Sequence, residues 1–135
     1  MGSIALDSGV IIGLFSSADL HHDWAFQQVQ DIVAGQDTIV ISALTICEVL
    51  VRPAQSGAAD AVRADVLSLR PRIVDVDEPI ASRAALLRAT RQGLRLPDAI
   101  ILATVLAAGC DCLVTTDRRL AGAAINDLPV RVPSE

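Results

Sequence analysis

Residues 3–15 read Ser-Ile-Ala-Leu-Asp-Ser-Gly-Val-Ile-Ile-Gly-Leu-Phe, so that the turn Asp7-Ser8-Gly9 separates two apolar runs. The first run, Ser3 to Leu6, has the length of a buried strand, and the second, Val10 to Phe15, follows it without a linker. This order predicts a strand that runs directly into a helix. It is the first strand–helix unit of the chain, and the alternation continues beyond it.

Further strands and helices follow in turn along the sequence. Strands are predicted at Thr38 to Ile41, Ile73 to Val76 and Cys112 to Thr115, with a last edge strand at Val130 to Val132. Helices are predicted from His22 to the cap Gly35, from Ala43 to Val51 with Ser42 as cap and Pro53 as stop, from Ala58 to Leu69, from Glu78 to about Gln92, from Pro97 to near Gly109, and as a short turn at Asp117 to Ala121. This alternation implies an α/β fold whose parallel sheet is covered on both faces.

The composition suits a single domain, residues 1–135, with an aliphatic core. Hydrophobic residues make up 52% of the chain, which contains one Trp, two Phe and no Tyr. The longest apolar run, Ala99 to Cys110, is too short to cross a bilayer, and the first residues lack the basic region of a secretory signal. The three cysteines are an odd number and are expected to be free thiols. We therefore expect a cytoplasmic protein with no membrane contact.

Every basic residue is an arginine because the chain contains no lysine, and the net charge is -5. The absence of lysine excludes a Walker-type phosphate loop, Schiff-base catalysis and a phosphatase that depends on a lysine. The acidic balance argues against a protein that grips nucleic acid through a broad basic surface, since nonspecific binding depends on neutralising phosphates. Any nucleic acid is therefore expected to be held locally.

Four acidic residues are the candidates for chemistry. Asp7 ends the first strand, Asp117 follows the strand Cys112 to Thr115, and Asp98 lies in the first turn of its helix. Ligands of open α/β sheets collect beyond the carboxyl ends of the strands, where helix N-termini also point, so these three acids are expected on one rim. Glu48 lies inside a mostly apolar helix, and it is either exposed to solvent or directed at a group that requires charge.

Each acid also has a purely structural explanation. Asp7 and Asp117 can cap the helices that follow them, and Asp98 can favour the positive end of its own helix. Glu48 can pair with Arg52, one helical turn away on an exposed face. The expected shared location of the acids on one rim of an apolar sheet weakens these structural explanations.

Carboxylates held close together require a cation. At about 4 Å they repel by roughly 1 kcal/mol per pair in water and roughly 4 kcal/mol at an effective dielectric constant near 20. Oxygen ligands without His or Cys favour a hard ion, Mg²⁺ or Mn²⁺. Either ion can activate water and offset the negative charge of a phosphodiester in its transition state. The pattern therefore predicts metal-assisted cleavage of a nucleic-acid strand.

Four segments carry a family resemblance: IALDSGVI around Asp7, SALTICEVL around Glu48, LPDAIILAT around Asp98 and LVTTDRRL around Asp117. In this order and spacing they resemble the acidic motifs of PIN domains, over nearly the whole chain. The resemblance implies a three-layer α/β/α sandwich around a mostly parallel sheet of four or five strands. Bacterial single-domain PIN proteins of this size are typically VapC-type toxins, which implies an endoribonuclease that is restrained by a small antitoxin and often forms a homodimer.

The resemblance also assigns roles to the acids by position. Asp7 and Asp98 would be the principal Mg²⁺ ligands, and Asp117 would complete the acidic site. Glu48 would bind the metal through water or help to orient the attacking water. Mn²⁺ is a plausible substitute for Mg²⁺.

Four neighbours of the acids are expected to contribute contacts. Ser8 or Thr116 would hold a carboxylate or a phosphate oxygen by a hydrogen bond. Arg118 and Arg119 would contact RNA phosphates, or would simply belong to a solvated turn. Many relatives carry an acid where this chain has Arg119, and this departure counts against a second metal ion.

The main hypothesis is thus a Mg²⁺-dependent endoribonuclease toxin, and two other functions stay open. One is a non-catalytic PIN-fold module that binds a protein partner through its apolar helices, with the acids serving as caps. The other is a small phosphohydrolase that acts on a free nucleotide. The sequence names neither the RNA nor the antitoxin, because such specificity resides in surface shape and loops.

Overall fold

The computed structural model describes residues 2–123 and 127–134 of the chain. The strands of this part are β1 (Ser3–Leu6), β2 (Thr38–Ser42), β3 (Arg72–Val74), β4 (Cys112–Val114) and β5 (Val130–Arg131). The helices of the same part are α1 (Ser8–Phe15), α2 (His22–Ala34), α3 (Ala43–Gln55), α4 (Ala59–Ser68), α5 (Glu78–Thr90), α6 (Leu96–Ala108) and α7 (Arg118–Gly122).

The five strands form one sheet in the order β3-β2-β1-β4-β5, and every neighbouring pair is parallel. The strand β1 lies at the centre, between β2 and β4. Leu6 of β1 pairs with Val114 of β4, so these two strands end at the same level. The parallel sheet confirms the predicted α/β class, and its five strands are the larger of the two predicted numbers.

Successive residues of a strand face opposite layers of the molecule. Ile4 and Leu6 of β1 belong to a buried cluster with α1, α2, α3 and α4, whereas Ala5 belongs to a second cluster with α5, α6 and α7. Both clusters consist almost entirely of aliphatic side chains. The predicted three-layer α/β/α sandwich and its aliphatic core are therefore confirmed.

The connections of β1 and β4 open a crevice between them at the carboxyl edge of the sheet. The helix α1 follows β1 and packs on one face, while α7 follows β4 and packs on the other. Where adjacent parallel strands send their helices to opposite faces, a crevice forms in which α/β proteins bind ligands. Asp7 and Asp117 immediately precede α1 and α7, which places both at this crevice.

The helix α3 is longer than the sequence predicted, because it passes Pro53 and ends at Gln55. Proline lacks an N–H and disrupts a helix interior, but Pro53 falls in the last turn, where few bonds follow. The N–H groups of Ser56 and Ala58 both donate to the Pro53 carbonyl, at 3.1 and 2.8 Å, and so close the helix end.

The strand β3 begins one residue earlier than predicted and ends at Val74 rather than Val76. Val74 pairs with Ser42, which is the last residue of β2 and the N-cap of α3, so no strand partner exists beyond it. Asp77 then caps α5 by accepting a hydrogen bond from the Ile80 N–H at 3.0 Å. The strand β5 likewise ends at Arg131 rather than Val132.

The longest apolar run of the sequence forms α6, where Ala99, Leu102 and Val105 are buried. Within residues 2–123 and 127–134, no helix combines the length and apolar character that a bilayer crossing requires. The apolar run is therefore core material in this structure.

Two leucines test the assigned core. Leu113 lies in β4 with a fully buried side chain, whereas Leu86 on α5 is 61% exposed. Leu113→Ala is expected to lower the free energy of unfolding by about 3 kcal/mol, because it removes buried methyl groups and leaves a cavity. The matched control Leu86→Ala should change it by less than about 0.5 kcal/mol. Urea denaturation measures both, and equal midpoints for the two variants would contradict the assignment.

Candidate active site

All four predicted acids line one pocket of about 270 Å³ at the crevice between β1 and β4. They reach it from different elements: Asp7 from the end of β1, Glu48 from α3, Asp98 from α6 and Asp117 from the start of α7. The lining residues are Asp7, Ser8, Gly9, Glu48, Arg95, Pro97, Asp98, Ile101, Thr116 and Asp117. The fold thus gathers side chains that are widely separated in the sequence.

Asp7 is held by hydrogen bonds from three directions. Its backbone N–H donates to the Val114 carbonyl at 3.0 Å and so extends the contact between β1 and β4. Its Oδ1 accepts from the Ser8 N–H at 2.8 Å, which caps α1, and its Oδ2 accepts from the buried Thr115 hydroxyl at 2.8 Å. The Thr115 hydroxyl also accepts from the Asp117 N–H at 3.0 Å, so it links two acids of the site.

Asp98 and Asp117 each lie at the N-terminus of a helix. Asp98 Oδ2 accepts from the Arg95 N–H at 3.2 Å, and Asp117 Oδ1 accepts from the Arg119 N–H at 2.9 Å. Free N–H groups and the positive end of the helix dipole stabilise carboxylates at such places. The capping explanations therefore apply to these acids, but they do not exclude a binding site, since the same carboxylates line the pocket.

Glu48 reaches the pocket from the middle of α3. None of the ion pairs in the described part of the chain joins it to Arg52, the partner that helical spacing allowed. Its Oε1 is buried and has no hydrogen-bond partner among the described residues. A buried acceptor without a partner costs free energy, so this oxygen is suited to meet a ligand, an ion or water.

Two arginines supply the positive charge beside the acids. Two nitrogens of the Arg119 guanidinium donate to the two carboxylate oxygens of Asp117: Nε donates to Oδ1 at 3.1 Å, and Nη2 donates to Oδ2 at 2.6 Å. The same Nη2 lies 3.8 Å from Asp98 Oδ2. Arg95 Nε lies 3.8 Å from that oxygen as well. The sequence analysis placed Arg119 beside the acids as a possible phosphate contact, and the structure pairs it with the acids themselves.

The other predicted contact residues differ in their placement. Ser8 and Thr116 line the pocket, and a side-chain hydrogen bond from Ser8 acts on Glu48 to lower its pKa. Arg118 is not among the lining residues, and its Nη2 donates to the Pro133 carbonyl. Its neighbour Arg119 contacts the acids.

The charges at the pocket are unequally balanced. Burial is the main cause that raises the pKa of both Asp7 and Glu48, and the Asp98 carboxylate raises both further. Hydrogen bonds from nearby hydroxyl and amide groups oppose these shifts only in part. Asp117 differs, because the hydrogen bond from the Arg119 side chain lowers its pKa. Asp7 and Glu48 therefore lack the counter-charge that Arg119 already provides to Asp117.

The donor set fits a hard divalent ion by its chemistry. The acids offer oxygen only, which suits Mg²⁺ or Mn²⁺, and the unpartnered Glu48 Oε1 supplies a free acceptor. Within residues 2–123 and 127–134, however, no three His, Cys, Asp or Glu side chains stand close enough to form a finished metal cluster. The oxygen donors are therefore present at the pocket without the close spacing of a formed metal site in the described residues.

The sequence analysis missed a residue buried behind the pocket and another in its lining. Thr115 was passed over in favour of Thr116, because only the pairing of Leu6 with Val114 shows that Thr115 stands beside Asp7. The other is Gly9, where an added Cβ would collide with the Thr116 side chain. The signal for Gly9 was its place directly after Asp7-Ser8.

Asp7→Asn tests the electrostatic cost of the site in the metal-free protein. Because folding raises the pKa of Asp7, its charged form destabilises the fold above that pKa, and this cost vanishes below the unfolded value near 3.8. Asparagine keeps the shape and the Oδ1 acceptor without the charge. We expect it to raise the free energy of unfolding at pH 7.5, and the gain should shrink as the pH falls towards 4.

Asp117→Asn is the control with the opposite sign. Because the pKa of Asp117 is lowered, its ionised form stabilises the fold above the unfolded pKa, and this stabilisation is lost as the pH falls through the folded pKa. The variant should therefore be less stable than the wild type at pH 7.5. Urea denaturation in the presence of a chelator measures both variants. A loss of stability in Asp7→Asn that is equal at pH 7.5 and pH 4 would contradict the charge argument.

Comparison with known proteins gives one family and several similar structures. The PIN domain profile matches residues 4–126. A toxin-antitoxin complex from Klebsiella pneumoniae contains a chain that is 30% identical, with 98% of each chain covered and a TM-score of 0.76. No curated protein matches the sequence.

Two further structures share the fold at lower identity. The VapBC2 complex from Rickettsia felis, bound to a DNA fragment from its promoter, is 17% identical, with 98% of this chain and 99% of that chain covered and a TM-score of 0.75. The sarcin-ricin loop cleaving toxin VapC20 from Mycobacterium tuberculosis is 16% identical, with 92% and 97% covered and a TM-score of 0.70. Since the family profile spans all four acids of the pocket, the chain belongs to the PIN domain family.

Proposed function

We propose that this chain is a Mg²⁺-dependent endoribonuclease that acts as the toxin of a toxin-antitoxin pair. The observation that carries the proposal is the gathering of Asp7, Glu48, Asp98 and Asp117 in one pocket of a PIN-family chain. The similarity to a chain of the Klebsiella pneumoniae toxin-antitoxin complex supports the toxin role. Mn²⁺ is expected to replace Mg²⁺, since both are hard ions that prefer oxygen ligands.

The acids would divide the work of holding the ion. Asp7 and Asp98 would bind it directly, Asp117 would complete the acidic site, and Glu48 would act through water. A bound divalent ion would supply the positive charge that activates water and offsets the phosphate charge. Asp7 is already oriented for this role, because the Thr115 hydroxyl fixes one of its oxygens and the Ser8 N–H fixes the other.

Glu48 is suited to receive the proton of the attacking water. Its Oε1 is buried and unpartnered, and burial raises its pKa, which makes the carboxylate a stronger base than an exposed glutamate. In the proposed hydrolysis, the water oxygen forms a bond to phosphorus as its proton passes to Glu48. The bond from phosphorus to the leaving oxygen breaks, and that oxygen keeps the electron pair and takes up a proton from solvent to become a hydroxyl. The products are two RNA strands, one of which ends in a phosphate.

RNA would be held locally, as the net charge of -5 requires. Arg95 lines the acidic pocket, while Arg91 and Arg119 line an adjoining cleft of about 450 Å³ that shares Asp98 with it. Guanidinium groups bind phosphate oxygens in pairs, so these arginines suit the phosphates that flank the cleaved bond. The negative charge of the remaining surface would restrict binding to this region.

A second candidate is the non-catalytic interaction module. The observation that favours it is that Asp7, Asp98 and Asp117 each form hydrogen bonds at a helix N-terminus, which gives all three a structural role. The free Glu48 Oε1 and the raised pKa of Asp7 favour the nuclease, because helix capping alone explains neither.

The partner of the toxin would be a small antitoxin that covers apolar side chains on α1 and α2. Both phenylalanines of the chain are partly exposed there, Phe15 by 38% and Phe26 by 48%, and Val33 is exposed by 61%. These three residues line one cleft of about 750 Å³. Exposed aromatic side chains that share a cleft are typical of protein interfaces. We propose that the antitoxin covers these side chains and that the toxin itself assembles as a homodimer. We place it in the cytoplasm, where its free cysteines would stay reduced.

Cleavage of RNA by the purified chain tests the catalytic proposal. We expect cleavage with Mg²⁺, loss of cleavage with a chelator, and a decrease of roughly 10²–10³-fold in Asp7→Asn and in Asp98→Asn, since each removes a charge that acts on the transition state. Asp60→Asn changes an exposed acid on α4 and is the matched control. Free nucleotides serve as the alternative substrate. Undiminished cleavage by folded Asp7→Asn and Asp98→Asn would reject the assignment.

Phe26→Asp tests the antitoxin surface. The small protein encoded beside the toxin gene is the binding partner to use, with affinity measured by calorimetry. Placing a charge in an apolar cleft is expected to weaken binding by about 30-fold or more, the effect of losing a central aromatic contact. Leu86→Asp, on the opposite layer, should bind like the wild type. Unchanged affinity in Phe26→Asp would contradict the proposal, and sedimentation of the toxin alone shows whether the same cleft joins two copies instead.

A further inference from the structure

We infer that the Arg119 guanidinium is a built-in counter-ion that competes with the divalent metal for Asp117 and Asp98. The inference rests on the proposed metal-dependent function and concerns how this chain regulates the filling of its site. It predicts that Arg119 must release Asp117 before an ion can bind with full affinity.

The contacts of Arg119 engage both carboxylate oxygens of Asp117. Its Nε and Nη2 each donate to a different oxygen of Asp117, at 3.1 and 2.6 Å. One of these oxygens, Oδ1, also accepts from the Arg119 backbone N–H at 2.9 Å. Paired hydrogen bonds between a guanidinium and a carboxylate are among the strongest that side chains form. The carboxylate of Asp117 therefore already has a cation on both of its oxygens.

The same guanidinium also extends towards the carboxylate of Asp98. Its Nη2 lies 3.8 Å from Asp98 Oδ2, so the positive charge stands between the two acids. A divalent ion bound to both acids would lie within a few ångströms of this charge and would be repelled by it. Arg119 and the metal thus exclude each other from the same position.

The guanidinium is free to leave without loss of the helix. Asp117 caps α7 through the Arg119 backbone N–H, and this bond does not involve the side chain. The Arg119 side chain is 48% exposed, and it also lines the adjoining cleft of about 450 Å³. Displacement by the metal therefore requires a rotamer change and no unfolding.

The charge distribution agrees with a counter-ion that serves only part of the site. The Arg119 guanidinium donates to Asp117 and lies near Asp98. The oxygens of Asp7 accept instead from the neutral Thr115 hydroxyl and Ser8 N–H, and Glu48 Oε1 has no hydrogen-bond partner among the described residues. Arg119 thus offsets the charge of Asp117 and Asp98, and it leaves the charge of Asp7 and Glu48 unpaired and able to attract a metal ion. The consequence is a site that fills only when the ion concentration is sufficient to displace the arginine.

Metal titration of two arginine variants tests this inference. Arg95 and Arg119 each place a nitrogen 3.8 Å from the same Asp98 oxygen, but only Arg119 also binds Asp117. Calorimetry with Mn²⁺ on the metal-free protein compares the wild type with Arg119→Gln and Arg95→Gln. We expect Arg119→Gln to bind Mn²⁺ about fivefold more tightly or better. Arg95→Gln should change the affinity by about twofold or less, because it removes an equal charge but leaves the pairing of Arg119 with Asp117 in place.

A spectroscopic measurement follows the arginine itself. In the metal-free wild type the Arg119 Nε–H should give a protected NMR signal because it is hydrogen-bonded to Asp117. Titration with Mg²⁺, which is diamagnetic, should shift or broaden this signal in step with binding, while the Arg95 signal shifts less. Both measurements report binding and do not depend on cleavage.

The outcomes separate the inference from the proposed function. Equal affinities in Arg119→Gln and Arg95→Gln, or an Arg119 signal unchanged at saturating Mg²⁺, would overturn the inference and leave the nuclease proposal intact. No binding of Mn²⁺ or Mg²⁺ by the wild type and by Arg119→Gln would overturn both, and it would favour the non-catalytic interaction module.

Discussion

The structure depends on the way in which four carboxylates are accommodated at the edge of an aliphatic core. Three of them, Asp7, Asp98 and Asp117, accept hydrogen bonds from backbone N–H groups at helix N-termini, where the helix dipole also offsets negative charge. Glu48 lies in the middle of its helix and has a buried oxygen without a partner. Because this compensation is incomplete, the pocket keeps negative charge that its own backbone does not offset, and the proposed function depends on that charge.

Arginine is the only basic residue that the chain has to meet this demand. Its fork of donors matches a carboxylate or a phosphate, which a lysine ammonium does less well. Arg119 forms two side-chain hydrogen bonds to Asp117, and Arg95 places its Nε near the carboxylate of Asp98. The same group is thus suited to two partners, an acid of the site or the phosphate of a substrate.

Helix capping and participation in a site proved to be compatible at the same residue. The sequence offered them as alternatives for Asp7 and Asp117, and the structure shows both carboxylates capping a helix while lining the pocket. A cap uses one carboxylate oxygen, and the second oxygen accepts from another group, the Thr115 hydroxyl at Asp7 and the Arg119 guanidinium at Asp117. For Glu48 the sequence left two environments open, and the buried Oε1 selects the one directed at the pocket. Thr115 was missed because its contact with Asp7 joins residues from neighbouring strands.

The sequence by itself determined the succession of strands and helices along the chain, the parallel α/β class, the aliphatic core and the carboxylate oxygens that the site offers. These features follow from periodicity, caps and residue types over short stretches, which are local properties of the chain. Only the tertiary structure decided the strand order, the early end of β3, and the pairing of Arg119 with Asp117 beside Asp98. The reason is physical: strand order and register arise from contacts between distant residues, and a side chain's partner depends on which helix ends the fold brings together.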